Sequence, residues 1–262
     1  GQVMEQLSVI YQDEYIVAVN KPSGLLVHRS PIDRHETRFA LQLVRDQVGQ
    51  RVYPVHRLDK PTSGVLLFAL SPDIARNVSA QMTSHRVAKT YHAVVRGYCP
   101  EAGDVDHAIR DRPDKIADRD RTRERPALEA LTRYRRLATA EISFAVDRYP
   151  KSRYSLVELK PLQGRKHQLR RHMKHLGYPI IGDANYGKGV HNRFFQEQYR
   201  CHRLLLACTG MGLLHPVSGQ RLLLAAPVGD DFYRVLVALG WANVIDSSLH
   251  HAMDGRLVPA KE

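Results

Sequence analysis

The sequence predicts an α+β fold with a mixed, mostly antiparallel central sheet flanked by helices. Three observations lead there. Predicted strands and helices alternate irregularly, whereas a doubly wound parallel sheet needs regular strand–helix alternation. Several predicted strand pairs have hairpin-length links. The 262 residues are 43% hydrophobic, enough for a substantial core, and no linker-like stretch divides them. Residues 1–245 are therefore read as one domain and 246–262 as a C-terminal tail.

The elements follow in order. Residues 8–19 are rich in Val, Ile and Tyr and are broken by Asp13-Glu14, the pattern of a β-hairpin. Pro22-Ser23-Gly24 reads as a turn and residues 25–27 as a short strand. Residues 31–37 form a polar loop. Residues 38–48 read as a helix, with Leu41, Val44 and Val48 on one face. Residues 65–70 are an unbroken apolar run and predict a buried strand. Ser71-Pro72-Asp73 supplies a hydroxyl cap, a first-turn proline and a first-turn acid, and Ile74, Val78 and Met82 continue a helix. Residues 90–97 and 155–159 predict strands. Residues 111–125 are a mixed-charge run and read as a surface loop. Residues 166–176 predict a helix closed by Gly177. Residues 204–214 and 221–225 predict strands joined by a turn at Pro216 and Gly219, and residues 230–239 a helix.

Charge narrows the function. Lys and Arg total 39 against 27 acids, a net charge of +12, and 29 of the cations are Arg. Guanidinium forks match phosphate geometry, and polyanion binding gains from counterion release, so nucleic acid is the leading partner class. A basic surface serving solubility alone is the plainer alternative. The apolar runs fall far short of the roughly 18–20 residues a membrane span needs. No apolar leader segment is seen. Cys99, Cys201 and Cys208 are too few and scattered for a disulfide framework or a four-thiolate zinc site. A soluble, cytoplasmic, reducing-compartment protein is expected.

Three clusters could carry chemistry. In the first, residues 56–64, Asp59 lies in a polar loop before the buried strand, flanked by His56, Arg57 and Lys60. Cations this close favour the ionised carboxylate and keep it available as nucleophile or base. A turn-capping Asp would look the same in isolation. In the second, residues 89–97, Tyr91 near a strand start could wall a base pocket. An ordinary strand tyrosine is the plainer reading. In the third, residues 164–172, Leu169, Met173 and Leu176 make an apolar stripe. Lys166, Arg170 and Lys174 make one basic row, and His167, Arg171 and His175 another. Arg165 and Lys166 fall at the predicted helix start, where the dipole repels cations, so an anion is expected close by. Otherwise this is a solvated basic helix. His172 and His175 are one turn apart but lie among cations, so no metal site is expected. No phosphate-binding glycine loop or serine-nucleophile elbow occurs, and no cofactor is expected.

The stretch His56–Gly64, HRLDKPTSG, resembles the signature of the RluA-type pseudouridine synthases. KTY at positions 89–91 and GRKHQLRRH at 164–172 are similar to that family's other two motifs, in the same order. Ile180-Ile181-Gly182-Asp183 and Leu214-His215-Pro216 resemble its later landmarks. The likeness spans roughly residues 11–233. Two departures occur: Lys166 stands where the family commonly has Thr, and Leu169 where Ile is frequent. Residues 26–30 and 114–118 further resemble a subgroup that modifies uridine 65 of tRNA.

The resemblance implies the pseudouridine synthase fold with an RNA-binding cleft, and no small S4-type domain. It implies an isomerase in which Asp59 attacks the target nucleoside, the N-glycosidic bond breaks, and the uracil rejoins the ribose through C5. Tyr91 would stack on the uracil and Arg165 would pair with Asp59. Arg57 would fill the stack left by the flipped base, and Lys166, Arg170 and Lys174 would contact RNA. tRNA is the implied partner of a monomer needing no metal or cofactor. 23S ribosomal RNA as substrate and a non-catalytic RNA-binding role are the alternatives.

Overall fold

The computed structural model describes residues 6–27, 39–111, 125–250 and 256–258. Among them, eleven strands form one sheet: β1 (Ser8–Gln12), β2 (Ile16–Lys21), β3 (Tyr53–Pro54), β4 (Ser63–Ala69), β5 (Ala88–Arg96), β6 (Ala102–Asp106), β7 (Leu131–Ile142), β8 (Ser152–Pro161), β9 (Leu206–Leu214), β10 (Arg221–Ala225) and β11 (Arg256–Val258). The main order is β1-β2-β4-β9-β5-β8-β7-β6, with β3 on β4, and β10 joining β9 to β11. All the pairings are antiparallel except β4–β9, where Ser63 and Gly64 lie beside Ala207 and Cys208. The sheet is thus mixed and mostly antiparallel, as expected.

Helices cover both faces. On one, α1 (Ala40–Val48), α2 (Pro72–Thr83) and α3 (Gln168–Leu176) contribute Val44, Val78, Leu169 and Met173 to a core with β4 and β5. On the other, α4 (Gly189–Tyr199), α5 (Asp230–Ala238) and α6 (Ala242–His250) bring Phe195, Phe232, Val235 and Ile245 against β8. Strand alternation divides the labour: Ala93 and Val95 face the first core and Val94 the second. All seven residues of β4 are buried, which explains its unbroken apolar run.

Local chemistry sets the ends. The β1–β2 turn is closed by Asp13, whose Oδ1 accepts from the backbone N–H groups of Tyr15 and Ile16. Ser71 caps α2 by accepting from the Ile74 N–H. Gly49 and Gly177 end α1 and α3 in the left-handed region.

Several expectations need correction. Residues 25–27 make one parallel bridge, Leu26 to Phe39, and no strand. The helix expected over 166–176 begins at Gln168. The expected tail boundary at residue 246 falls inside α6, and β11 beyond it pairs with β10. Its polar residues hid that order: Ser248 sits at half-buried depth and hydrogen-bonds His92. Strands β6 and β7 and helix α4 were not expected. The expected loop at 31–37, most of the one at 111–125, and the subgroup-like residues 28–30 and 114–118 lie outside the described residues.

Candidate active site

A cleft of about 520 Å³ opens beside β5, between the loop before β4 and the loop leading from β8 into α3. Asp59, Tyr91, Arg57, Arg165, Lys166 and Arg170 all line it. Three of the six come from the turn before α3 and its first residues, which explains why the third sequence cluster is dense in function.

The loop carrying Asp59 is held from several sides. The Gly24 N–H donates to the Lys60 carbonyl at 2.8 Å, and the Ser23 hydroxyl to the Pro61 carbonyl at 2.7 Å. The fully buried Lys21 ammonium donates to the carbonyls of Pro22, Leu25 and Lys60 at 2.6–3.0 Å. Burial pushes its pKa down to about 7, helped by Arg203 and opposed by Asp59. His56 Nε2 accepts from the Leu67 N–H at 3.0 Å, so the imidazole is the neutral Nδ1–H tautomer. Burial agrees, lowering its pKa to about 3. The loop is therefore tied to β4 behind it and to the β2 turn beside it. That leaves the Asp59 side chain 29% exposed, facing the cleft.

The partner of Asp59 corrects the sequence expectation. Arg165 does not pair with it. The Arg165 guanidinium donates through Nε to the Glu129 carbonyl at 2.9 Å, and its backbone N–H goes to Gln168 Oε1. The cation at Asp59 is Arg170, whose Nη1 lies 3.5 Å from Oδ2. Arg170 is nearly buried, so it is not a phosphate contact on an exposed row either. Its Nε and Nη2 grip Asp183 at 2.9 and 2.8 Å. Burial opposes the charge, but Asp183 and then Asp59 outweigh it and raise the Arg170 pKa. Asp183 Oδ1 also accepts the Asn185 and Tyr186 N–H groups. The chain runs Asp183–Arg170–Asp59, a fixed anion orienting a cation that orients the exposed carboxylate. The physical reason is the later helix start: Arg165 sits in the preceding turn, and Arg170 occupies the first turn facing inward.

His167 caps α3 with φ 55°, a left-handed conformation costing a non-glycine residue roughly 1–2 kcal/mol. Its Nδ1 meets the Tyr186 hydroxyl at 2.9 Å, and its Nε2 lies 3.9 Å from Asp59. Burial, assisted by Arg170, Lys166 and Arg171, lowers its pKa and favours the neutral ring. Tyr91 is 9% exposed. Burial foremost, then Cys208 and Asp59, hold its hydroxyl pKa well above the ordinary range, so it stays a phenol. A register shift in the β5–β9 pairing between Thr90 and Tyr91 falls beside it, and such irregularities re-aim side chains near sites.

Arg57 is exposed and Lys166 half-buried at the cleft. Lys174 is exposed further along α3 and outside the cleft lining. Sequence reasoning missed Asp183 and Tyr186 as supports, and missed His167 as a neighbour of Asp59. The signal for Asp183 was present, because it belongs to a stretch already noted for its likeness to other proteins.

The chain belongs to the RNA pseudouridylate synthase family, whose model matches residues 15–175. It is similar to tRNA pseudouridine synthase C of Vibrio parahaemolyticus, 48% identical over 236 residues that cover 90% of this chain and 96% of that one. The Yersinia pestis protein of the same name is 51% identical over 238 residues, 91% of this chain and 93% of its own. Among solved structures, Human RNA Pseudouridylate Synthase Domain Containing 1 aligns over 98% of this chain and 99% of its own, with TM-score 0.68 and 25% identity. Among the described residues, no helix is long and apolar enough to cross a membrane.

Proposed function

We propose that this protein converts a uridine of tRNA to pseudouridine, with Asp59 as the nucleophile. The observation that carries the reading is an ionisable carboxylate at the wall of a cation-rich cleft, oriented by Arg170 and adjacent to Tyr91. A merely RNA-binding surface gains nothing from an acid in that position, because it repels phosphate.

The residues divide the work. A base within a helical stem is reached only by flipping it out, at a few kcal/mol. Arg57, exposed beside Asp59, can stack in the vacated place. Tyr91 offers its ring to the flipped uracil. The Asp59 carboxylate attacks the nucleoside, the glycosidic bond breaks, and the turned uracil rejoins the ribose through C5. Bond count is conserved, so no redox partner is required. Arg170 keeps Asp59 aimed, and Lys166 meets the backbone.

Similarity to the tRNA-modifying relatives supports tRNA over 23S ribosomal RNA. Uridine 65, in the stem joining the acceptor and TΨC arms, is the proposed target. Cytoplasmic action as a monomer without metal or cofactor is part of the same proposal. The test is release of label from C5-tritiated uridine, using folded tRNA and 23S ribosomal RNA side by side. Release from tRNA, lost when its uridine 65 is replaced by cytidine, is expected. Preference for the ribosomal RNA overturns the substrate, and no release from either overturns the reaction.

A further inference from the structure

Lys89 stands two residues before Tyr91 on β5, so both side chains leave the same face of the strand. Both line the cleft that holds Asp59. Among the described residues, the Lys89 ammonium has no ion-pair or hydrogen-bond partner. Burial lowers its pKa from the ordinary lysine range, and the nearby Cys208 thiol opposes that. Its position explains a second residue. A Cβ on Gly164 would stand 3.2 Å from Lys89 Nζ and near nothing else. No left-handed backbone demands glycine there. The ammonium thus rests against the bare backbone of the loop from β8 to α3.

A half-buried ammonium that lines the cleft with no counter-charge fits an anion that arrives with the substrate. Two kinds of anion could come: a phosphate and the departing base. Phosphates have the exposed and half-exposed Arg57 and Lys166 available. Lys89 instead shares the strand face of Tyr91, near Cys208. Carboxylate, ring and ammonium thus line one cleft, the last two from one face of β5. A base stacked on the ring lies in the cleft that also holds the group attacking the ribose and the unpaired ammonium.

We infer that the Lys89 ammonium holds the uracil while it is detached, by donating to the carbonyl oxygen that carries the leaving base's negative charge. This rests on the synthase reading above. When the C1′–N1 bond breaks, its electron pair stays on the base and spreads onto O2 and O4. C5 then bonds to C1′ as the bond from C1′ to the Asp59 carboxylate breaks, C5 loses its proton and N1 gains one, so the atoms balance with nothing supplied by Lys89 except charge. A half-turn about the axis through C6 and N3 exchanges N1 with C5, and O2 with O4. One fixed ammonium therefore meets a carbonyl oxygen both before and after the turn.

The experiment compares the wild type, Lys89→Met and Lys89→Arg in single turnover, following loss of the target nucleoside. The substrates are tRNA carrying uridine or 5-fluorouridine at the target. Lys89→Met should lose about 100-fold in rate, the scale of one lost transition-state donor, with RNA affinity little changed. Lys89→Arg should recover part of that. Fluorine stabilises the uracil anion by itself, so the Met variant's deficit should shrink on the fluorinated RNA. An equal deficit on both RNAs, as a packing defect gives, overturns the inference. So does a loss of affinity matching the loss of rate, which marks a phosphate contact. A wild type inert on both RNAs overturns the synthase reading itself, and this inference with it.

Discussion

Two clefts on this molecule invite comparison. The larger, about 730 Å³, lies where Arg96 ends β5 and the β7–β8 connection passes the start of α4. It is lined by five cations, Arg96, Arg148, Lys151, Arg153 and Lys188, and two acids, Glu141 and Asp147. The smaller holds Asp59. The difference lies in where the charges are anchored. In the larger cleft, Glu141 accepts from Arg153 and pairs with Lys151, and Asp147 pairs with Lys188, all on side chains that are 31–60% exposed. Tyr149 there is 66% exposed. In the smaller cleft, Arg170 is buried and gripped by the buried Asp183 behind it, which backbone donors fix in turn. Volume does not distinguish a reactive site from a surface hollow. A charge that cannot relax does.

The comparison breaks most sharply at Asp59. Asp59→Asn is nearly isosteric and cannot act as a nucleophile, so tritium release should vanish while RNA affinity stays within a few-fold. Lys151→Gln in the larger cleft should leave release unchanged. Activity surviving in the Asn variant after deamidation is excluded, or lost in the Gln variant, reverses the assignment of the two clefts.

Next comes the buried pair. Removing Arg170 leaves Asp183 buried and uncompensated, a defect of about 3–5 kcal/mol. Arg170→Met should therefore lose both turnover and stability in urea melts. Arg165→Met should retain most of each, because it breaks only a surface hydrogen bond to the Glu129 carbonyl. Equal losses in the two variants would restore Arg165 as the partner of Asp59.

Tyr91 comes third. Tyr91→Phe keeps the ring and should bind RNA almost normally. Tyr91→Leu should bind about 1–3 kcal/mol more weakly, the worth of one stacked base. Titrations of labelled RNA separate the two. Normal binding by Phe without turnover would give the hydroxyl a chemical role.

The last test concerns acid. Each cleft has a buried histidine held neutral: His56, lowered by burial and then Lys89 to about 3, and His191, lowered by burial and then Arg96 to about 4. Their folded pKa values lie below the unfolded one, so the unfolded chain binds more protons. Their contribution is full above about pH 6.5 and falls away toward pH 4, by at most about 1.4 kcal/mol per pH unit for each. Urea melts at pH 7 and pH 5 should differ accordingly, and His191→Gln should narrow the difference. An unchanged gap would remove His191 from the account.

What could be read from the sequence was local. Asp59 and Tyr91 each sit in a short stretch whose neighbours state their environment: cations around one, a strand around the other. The choice between Arg165 and Arg170 could not be read there. Both lie within a few residues in one basic run, and only the point where α3 begins decides which turns inward. Asp183, thirteen residues beyond Arg170, reaches it through the fold. The dense apolar strands were legible, whereas β7 was not. Its Arg133 and Arg135 point outward and pair with Asp104 and Glu158, so its sequence looks like a charged surface segment. Gly64, at the end of the first motif, is explained only in three dimensions. Its φ is 121°, and a Cβ there would overlap the backbone of Cys208.

That contact has a consequence for how the protein is made. Gly64 and its neighbour Ser63 pair in parallel with residues 207–208, and Asp59 lies a few residues before this seam. Tyr91 likewise faces Cys208 across β9. The reactive carboxylate and the ring are synthesised early, but the strand that sets both in place is synthesised late. Pairing at such sequence separation is slow, because the intervening chain must close first. A nascent chain on the ribosome therefore carries the complete signature motif without a working cleft, and competence for RNA arrives only once β9 has emerged and docked.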